Sequence, residues 1–142
     1  MDVKVSWGGN AKFIGESGSG HKVTMDGPPE GGGQNLGPRP MEMLLLGTGA
    51  CSAYDVVSIL KKSRQDISDC EVEISAKRAE TEPKVFTSIH FHFKVSGNDL
   101  KDKQVSRAID LSADKYCSAS IMLGATAAIT HDYEIFEVGG SL

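Results

Sequence analysis

Apolar positions along the chain change period several times, and each change marks an element. Val3, Val5 and Trp7 alternate with polar residues, Lys12-Phe13-Ile14 follows a Gly-Gly-Asn turn, and Lys22-Val23-Thr24-Met25 follows the glycine-rich stretch 15–20. This spacing predicts three short antiparallel strands. The dense run of Gly and Pro from Gly27 to Pro40 reads as a loop. Pro40 stands where a first helical turn tolerates it, and Met41 to Lys62 runs without another Pro. It closes in Lys61, Lys62 and Arg64, where the helix dipole favours cations. One long helix is predicted. Its apolar residues, among them Leu44, Leu45, Leu46, Ala50, Val56, Ile59 and Leu60, do not keep to one stripe, so its middle is expected to be enclosed on nearly all sides. One sheet of a 142-residue chain supplies too little cover for that, and the pattern points to a homodimer in which two such helices pack together.

Past the helix the period returns to two. Val72 and Ile74 alternate with polar residues over Cys70 to Ala76, and Ile89, Phe91, Phe93 and Val95 alternate with His90, His92 and Lys94. Asn98-Asp99 opens a helical region to about Tyr116, Ser118 to Thr130 reads as a further helix, and His131 to Val138 as a last strand. The order β-β-β-α-β-β-α-α-β describes an α+β fold. It is expected as a single domain over 1–138, with strands and loop in 1–39, the central helix in 40–63 and an α+β part in 70–138. Residues 139–142 read as a flexible tail.

Composition narrows the function. With 39% hydrophobic and 24% charged positions the chain has the make-up of a globular domain with a core. Fifteen Lys+Arg against nineteen Asp+Glu, a formal charge of −4, leave no basic surplus for a nucleic-acid backbone. The run from Met43 to Tyr54 is shorter than a bilayer requires, and the N-terminus lacks the apolar stretch of a secretory signal, so no membrane partner and a cytoplasmic location are expected. Three cysteines, an odd number, do not describe a disulfide framework; in a reducing compartment they point to thiol chemistry.

Three other signals fail. The stretch Gly15-Glu-Ser-Gly-Ser-Gly20 suggests a phosphate loop, but His21 stands where Lys belongs and a strand follows instead of a helix. Gly47-Thr48-Gly49 has Ser52 in place of a third dinucleotide-binding glycine, so close helix packing accounts for it better. His90 and His92 share a strand face, yet a polar face explains them, and no metal or other cofactor is expected.

Cys70 begins a strand and reads as a bland, partly buried thiol. Cys51 sits near the centre of the long helix among small residues, in Gly-Thr-Gly-Ala-Cys-Ser-Ala, and Cys117 directly precedes the Ser-Ala-Ser start of a helix, where unpaired N–H groups favour a thiolate. Burial as small hydrophobes is the competing explanation for both.

Pro40 before an apolar helix, the Gly-Ala-Cys51 step and the second Cys117 before a short helix resemble the OsmC/Ohr superfamily of thiol-dependent hydroperoxide reductases. Cys51-Ser-Ala-Tyr-Asp55 and Asp110-Leu-Ser-Ala-Asp-Lys-Tyr-Cys117-Ser resemble its YhfA-like branch most. The resemblance implies an intertwined homodimer, with antiparallel sheets wrapped around long central helices. It also implies Cys51 as the peroxidatic thiolate attacking an organic hydroperoxide, Cys117 as the resolving thiol, and an external dithiol as reductant, with neither metal nor flavin. Family enzymes activate the thiolate with an arginine held by a glutamate directly after the proline. Here Met41 takes that position and Glu42 comes one residue later, about 100° round the helix, while Arg39 is the one arginine upstream of Cys51. Asp55, four residues after Cys51, lies on the same helical face; unpaired it would raise the thiol pKa, and Lys115, Arg64 and Arg107 are its candidate partners. The alternative function is a non-catalytic protein of the same fold binding a small apolar or thiol-bearing ligand in the dimer-interface pocket, with Met41, Met43, Tyr54, Tyr116 and Met122 as candidate lining.

Overall fold

The structure, a computed structural model, describes residues 1–139; most of the expected tail, 140–142, lies outside the described residues. The elements follow the expected order: β1 (Val3–Trp7), β2 (Phe13–Ser17), β3 (Lys22–Met25), α1 (Pro40–Lys62), β4 (Asp66–Arg78), β5 (Phe86–Asn98), α2 (Asp102–Leu111), α3 (Ser118–Leu123) and β6 (Ala128–Glu137). The fold is α+β. The chain forms two compact units, 1–46 and 47 onward, with the boundary inside α1.

In the first unit β1, β2 and β3 pair antiparallel in sequence order, with Val5 opposite Gly15 and Gly15 opposite Val23. The Gly/Pro loop that follows is organised by Asp26, which is only 2% exposed. Its carboxylate accepts the backbone N–H groups of Gly27 (2.7 Å), Gln34 (3.1 Å) and Leu36 (3.2 Å). Gly33 is required there by close approach, because a Cβ would overlap the Gly27 carbonyl. At the start of α1, Glu42 reaches back to accept the Arg39 N–H at 2.8 Å, the N3-to-N-cap half of a capping box.

In the second unit β4 and β5, thirteen residues each, pair antiparallel. β6 lies beside β5 in parallel, from Ser88 opposite Ala128 to Gly97 opposite Glu137. This corrects the expectation of purely antiparallel sheets. The chain leaves β5 at Asn98, and the helical segment after it carries it back to the opposite end of β5, the crossover that parallel neighbours need. The helices are also shorter than expected. α2 starts at Asp102 and passes at Ser112 into a π turn, 112–116, while α3 ends at Leu123 instead of running to Thr130. Ala128, Ile129 and Thr130 pair with Ser88, Ile89 and His90, so sheet pairing of β-branched residues prevails over the apolar continuity that suggested a helix.

The core of this unit joins Ile89, Phe91, Phe93 and Val95 of β5 to Val105, Ala108 and Ile109 of α2 and to Val56 and Leu60 of α1. α1 buries Thr48, Gly49, Ser52, Val56 and Leu60, a single stripe at helical spacing. A Cβ on Gly49 would stand 2.9 Å from Ile74 Cδ1, so the helix lies close on β4. The enclosure expected for α1 is not supplied by one chain, since Leu46 and Tyr54 remain 60% and 74% exposed. With 23 residues and a mean hydropathy of 1.6, α1 is long and apolar enough to cross a bilayer by length and composition alone, which the shorter run Met43 to Tyr54 did not suggest.

The outer face of β5 and β6 carries a polar row. His92 places Nδ1 2.6 Å from Asp132 and Nε2 2.7 Å from Glu134, an arrangement satisfied when both ring nitrogens carry protons. His90 bridges Thr130 (2.7 Å) and the same Asp132 oxygen (3.0 Å). The two carboxylates draw the His92 pKa upward, and His92 and His90 draw that of Asp132 downward.

Candidate active site

α1 brings Cys51, Ser52 and Asp55 to adjacent turns, and the π turn ending at Tyr116 delivers Cys117 beneath them. The Cys51 sulfur, the Cys117 sulfur and a carboxylate oxygen of Asp55 lie within 4.8 Å of one another. Cys117 is fully buried and Cys51 half-buried. All three groups were candidates from the sequence, and the fold gathers them.

Serines absent from the sequence-derived candidates hold the cluster. Ser52 Oγ donates to Cys117 Sγ at 3.2 Å. Cys117 is also the N-cap of α3, its sulfur accepting the Ser120 N–H at 3.4 Å. Ser112 Oγ donates to Asp55 Oδ2 at 3.0 Å, so the carboxylate is met by a hydroxyl and not by Lys115, Arg64 or Arg107. Two of these partners left a trace in the sequence: Ser52 adjoins Cys51, and Ser120 follows Cys117 at N-cap spacing. Ser112 left none, because its approach to Asp55 depends on how α2 and its π turn pack against α1.

The two thiols diverge electrostatically. Burial, with the Cys117 and Asp55 groups beside it, holds the Cys51 thiol above its ordinary value despite the Ala119 N–H directed at it. Burial opposes ionisation of Cys117 too, but hydrogen bonds from Ser120, Ser52 and the Cys51 thiol outweigh it and hold Cys117 below the ordinary value. Of the two thiols, Cys117 is therefore the one that ionises more readily. Burial, with Asp69 adding, pushes Cys70 up to about 11, which leaves it a neutral thiol at physiological pH.

The remaining candidates have other partners. Arg39 donates from its guanidinium to Asn35 Oδ1 at 2.6 Å, and Glu42 caps α1 through the Arg39 N–H. Both belong to the first unit. Tyr54 and Tyr116 line one cavity of about 540 Å³ together with Asp55, Arg107 and Leu111; Met122 is 74% exposed.

Comparison with known proteins extends these observations. A family model described as OsmC-like protein matches residues 31–132. Protein YhfA of Escherichia coli strain K12 is 51% identical over 135 residues, covering 95% of this chain and 98% of the relative. A hypothetical protein from Aquifex aeolicus VF5 superposes with a TM-score of 0.84 at 29% identity, covering 96% of each chain. An organic hydroperoxide resistance protein OsmC from Legionella pneumophila superposes with a TM-score of 0.72 at 17% identity, covering 94% of this chain and 95% of that one. At that identity the likeness is one of fold.

Proposed function

The chain belongs to the OsmC-like protein family, and on that premise we propose that it reduces organic hydroperoxides through the dithiol of Cys51 and Cys117. The observation that carries the reading is the meeting of the two sulfurs, sixty-six positions apart in the chain, at a buried junction where one already accepts hydrogen bonds as a thiolate would.

The chemistry balances without a metal or flavin. Cys51, the more open sulfur, attacks the O–O bond once its proton has passed to Cys117; the alcohol leaves with a proton and Cys51 becomes a sulfenic acid. Cys117 then displaces water from it to close a disulfide, and an external dithiol restores both thiols through a mixed disulfide. The hydrogen bonds to Cys117 suit the second step, because they favour ionisation of the resolving sulfur. In this reading the protein works as a cytoplasmic homodimer, in which a second copy covers the exposed face of α1.

Treating the reduced protein with one equivalent of cumene hydroperoxide is expected to consume two thiols per chain and to yield a peptide pair cross-linked between Cys51 and Cys117. An unchanged thiol count, or full turnover by Cys51→Ser, overturns the proposal. One observation favours a second reading, in which the same dithiol and the cavity beside Tyr54 and Tyr116 hold a small ligand without turnover: the Cys51 thiol is raised, not lowered. The pH dependence of iodoacetamide alkylation separates the two. A Cys51 midpoint at or above that of a free thiol favours binding, and one below it favours catalysis.

A further inference from the structure

Asp55 is the member of the cluster that peroxide chemistry does not use. A carboxylate beside two sulfurs repels the thiolate the reaction needs, and its hydrogen-bond partner is a neutral hydroxyl. The same arrangement has another use. We propose that the reduced Cys51–Asp55–Cys117 cluster is a binding site for a soft divalent cation of the zinc type.

Donor identity and placement carry the inference. Two thiols and one carboxylate offer three ligand atoms within 4.8 Å of one another. A zinc ion bound to sulfur at about 2.3 Å and to oxygen at about 2.0–2.2 Å would draw them to roughly 3.5–3.8 Å apart. The contraction of about 1 Å is within reach of side-chain rotation. Each ligand already has an outer partner of the kind that orients metal ligands: the Ser52 hydroxyl and Ser120 N–H on Cys117, the Ala119 N–H on Cys51, and the Ser112 hydroxyl on Asp55. Asp55 also lines the cavity with Tyr54 and Arg107, and Cys51 is itself only half-buried, so two of the three ligands are open to an arriving ion. Once both thiols are deprotonated the three groups repel one another, and a divalent cation converts that repulsion into ligation. The His90/His92 row is less suited, because its imidazole nitrogens are engaged by Asp132, Glu134 and Thr130.

Binding displaces two thiol protons to solvent and involves no electron transfer. Disulfide formation removes two of the three ligands, so metal and oxidation exclude each other at this site. The inference does not depend on the hydroperoxide reading: a protein inert toward cumene hydroperoxide is still expected to bind the cation.

Titrating the reduced, chelator-treated protein with Co²⁺ alone tests it. Expected are one equivalent bound per chain, a near-ultraviolet thiolate-to-cobalt charge-transfer band, and its loss when Zn²⁺ displaces the cobalt. The band is expected to vanish in Cys51→Ser, in Cys117→Ser and in wild-type protein oxidised with diamide, and to persist in Cys70→Ser. Asp55→Asn is expected to bind about ten-fold or more weakly, as loss of a ligand implies. The diamide arm needs no substitution and so stands even where a cysteine variant fails to fold. No band in the reduced wild type, a band that survives oxidation or disappears with Cys70, or unaltered affinity in Asp55→Asn each overturn the site.

Discussion

Ser52 illustrates how a hydroxyl helps to bias which thiol of a close pair ionises first. Its hydrogen bond, with those from Ser120, favours ionisation of Cys117 in surroundings whose low polarity otherwise resists it. Ser52→Ala is therefore expected to raise the pH at which the first thiolate of the pair appears, read by absorbance near 240 nm in a Cys70→Ser background. Asp55 acts in the other direction on Cys51, and Asp55→Asn is expected to speed alkylation of Cys51 at neutral pH. Asp26 shows the same physics in a structural role. Burial opposes its charge, but three backbone N–H groups hold its pKa below the ordinary value. A depressed carboxylate contributes stability that is present above its unfolded pKa and lost as pH falls through the native one. The acid limb of thermal unfolding should accordingly be less steep in Asp26→Asn than in the wild type. These positions also mark what was legible at this scale. Cys51, Cys117 and Asp55 were legible because sulfur and carboxylate announce chemistry wherever they stand; Asp26 and Ser112 were not, because their importance comes from partners that the fold brings to them.

At the scale of elements, α1 ends where hydrogen bonding requires a left-handed residue. Gln65 N–H reaches back to the Leu60 carbonyl and Arg64 N–H to that of Lys61, a Schellman closure with Arg64 at φ 61°. Glycine is the usual occupant, and Arg64→Gly is expected to stabilise the protein by about 1 kcal/mol in urea titration. Gly97 in β5 works the opposite way. A Cβ there would overlap the Asp66 carbonyl beside the irregularity in the β4–β5 pairing, so Gly97→Ala is expected to cost about 1–3 kcal/mol. The histidine row gives the second sheet a pH dependence. His92 has a raised pKa, so its contribution is complete below its unfolded value and is lost as pH rises through the higher native one. Asp132 has a lowered pKa, and its contribution disappears as pH falls through that value. The difference in melting temperature between wild type and His92→Ala should thus be largest below the ordinary histidine pKa of about 6.5 and shrink as pH rises beyond it. Alternation along β5 announced this face, but the parallel neighbour that lines it with Asp132 and Glu134 was not legible, because strand direction depends on how the intervening helices return the chain.

At the scale of the whole molecule, α1 presents more apolar surface than one chain covers. Leu46 and Tyr54 lie off its buried stripe and face outward. If a second copy covers that face, light scattering should return twice the 15.1 kDa of one chain, and Leu46→Glu should shift the protein toward the single-chain mass. A wild type at single-chain mass would remove the dimer from the proposed reading. What the sequence determined by itself was local: the order of elements, the long helix after Pro40, the alternation of β5 and the identity of the two sulfurs, since periodicity and residue chemistry act over a few neighbouring positions. Tertiary structure alone decided the parallel seat of β6, the early end of α3, the serines around the thiols and the side of the pair on which charge settles. Each of those depends on groups from separate segments meeting, where several hydrogen bonds together outweigh an intrinsic preference.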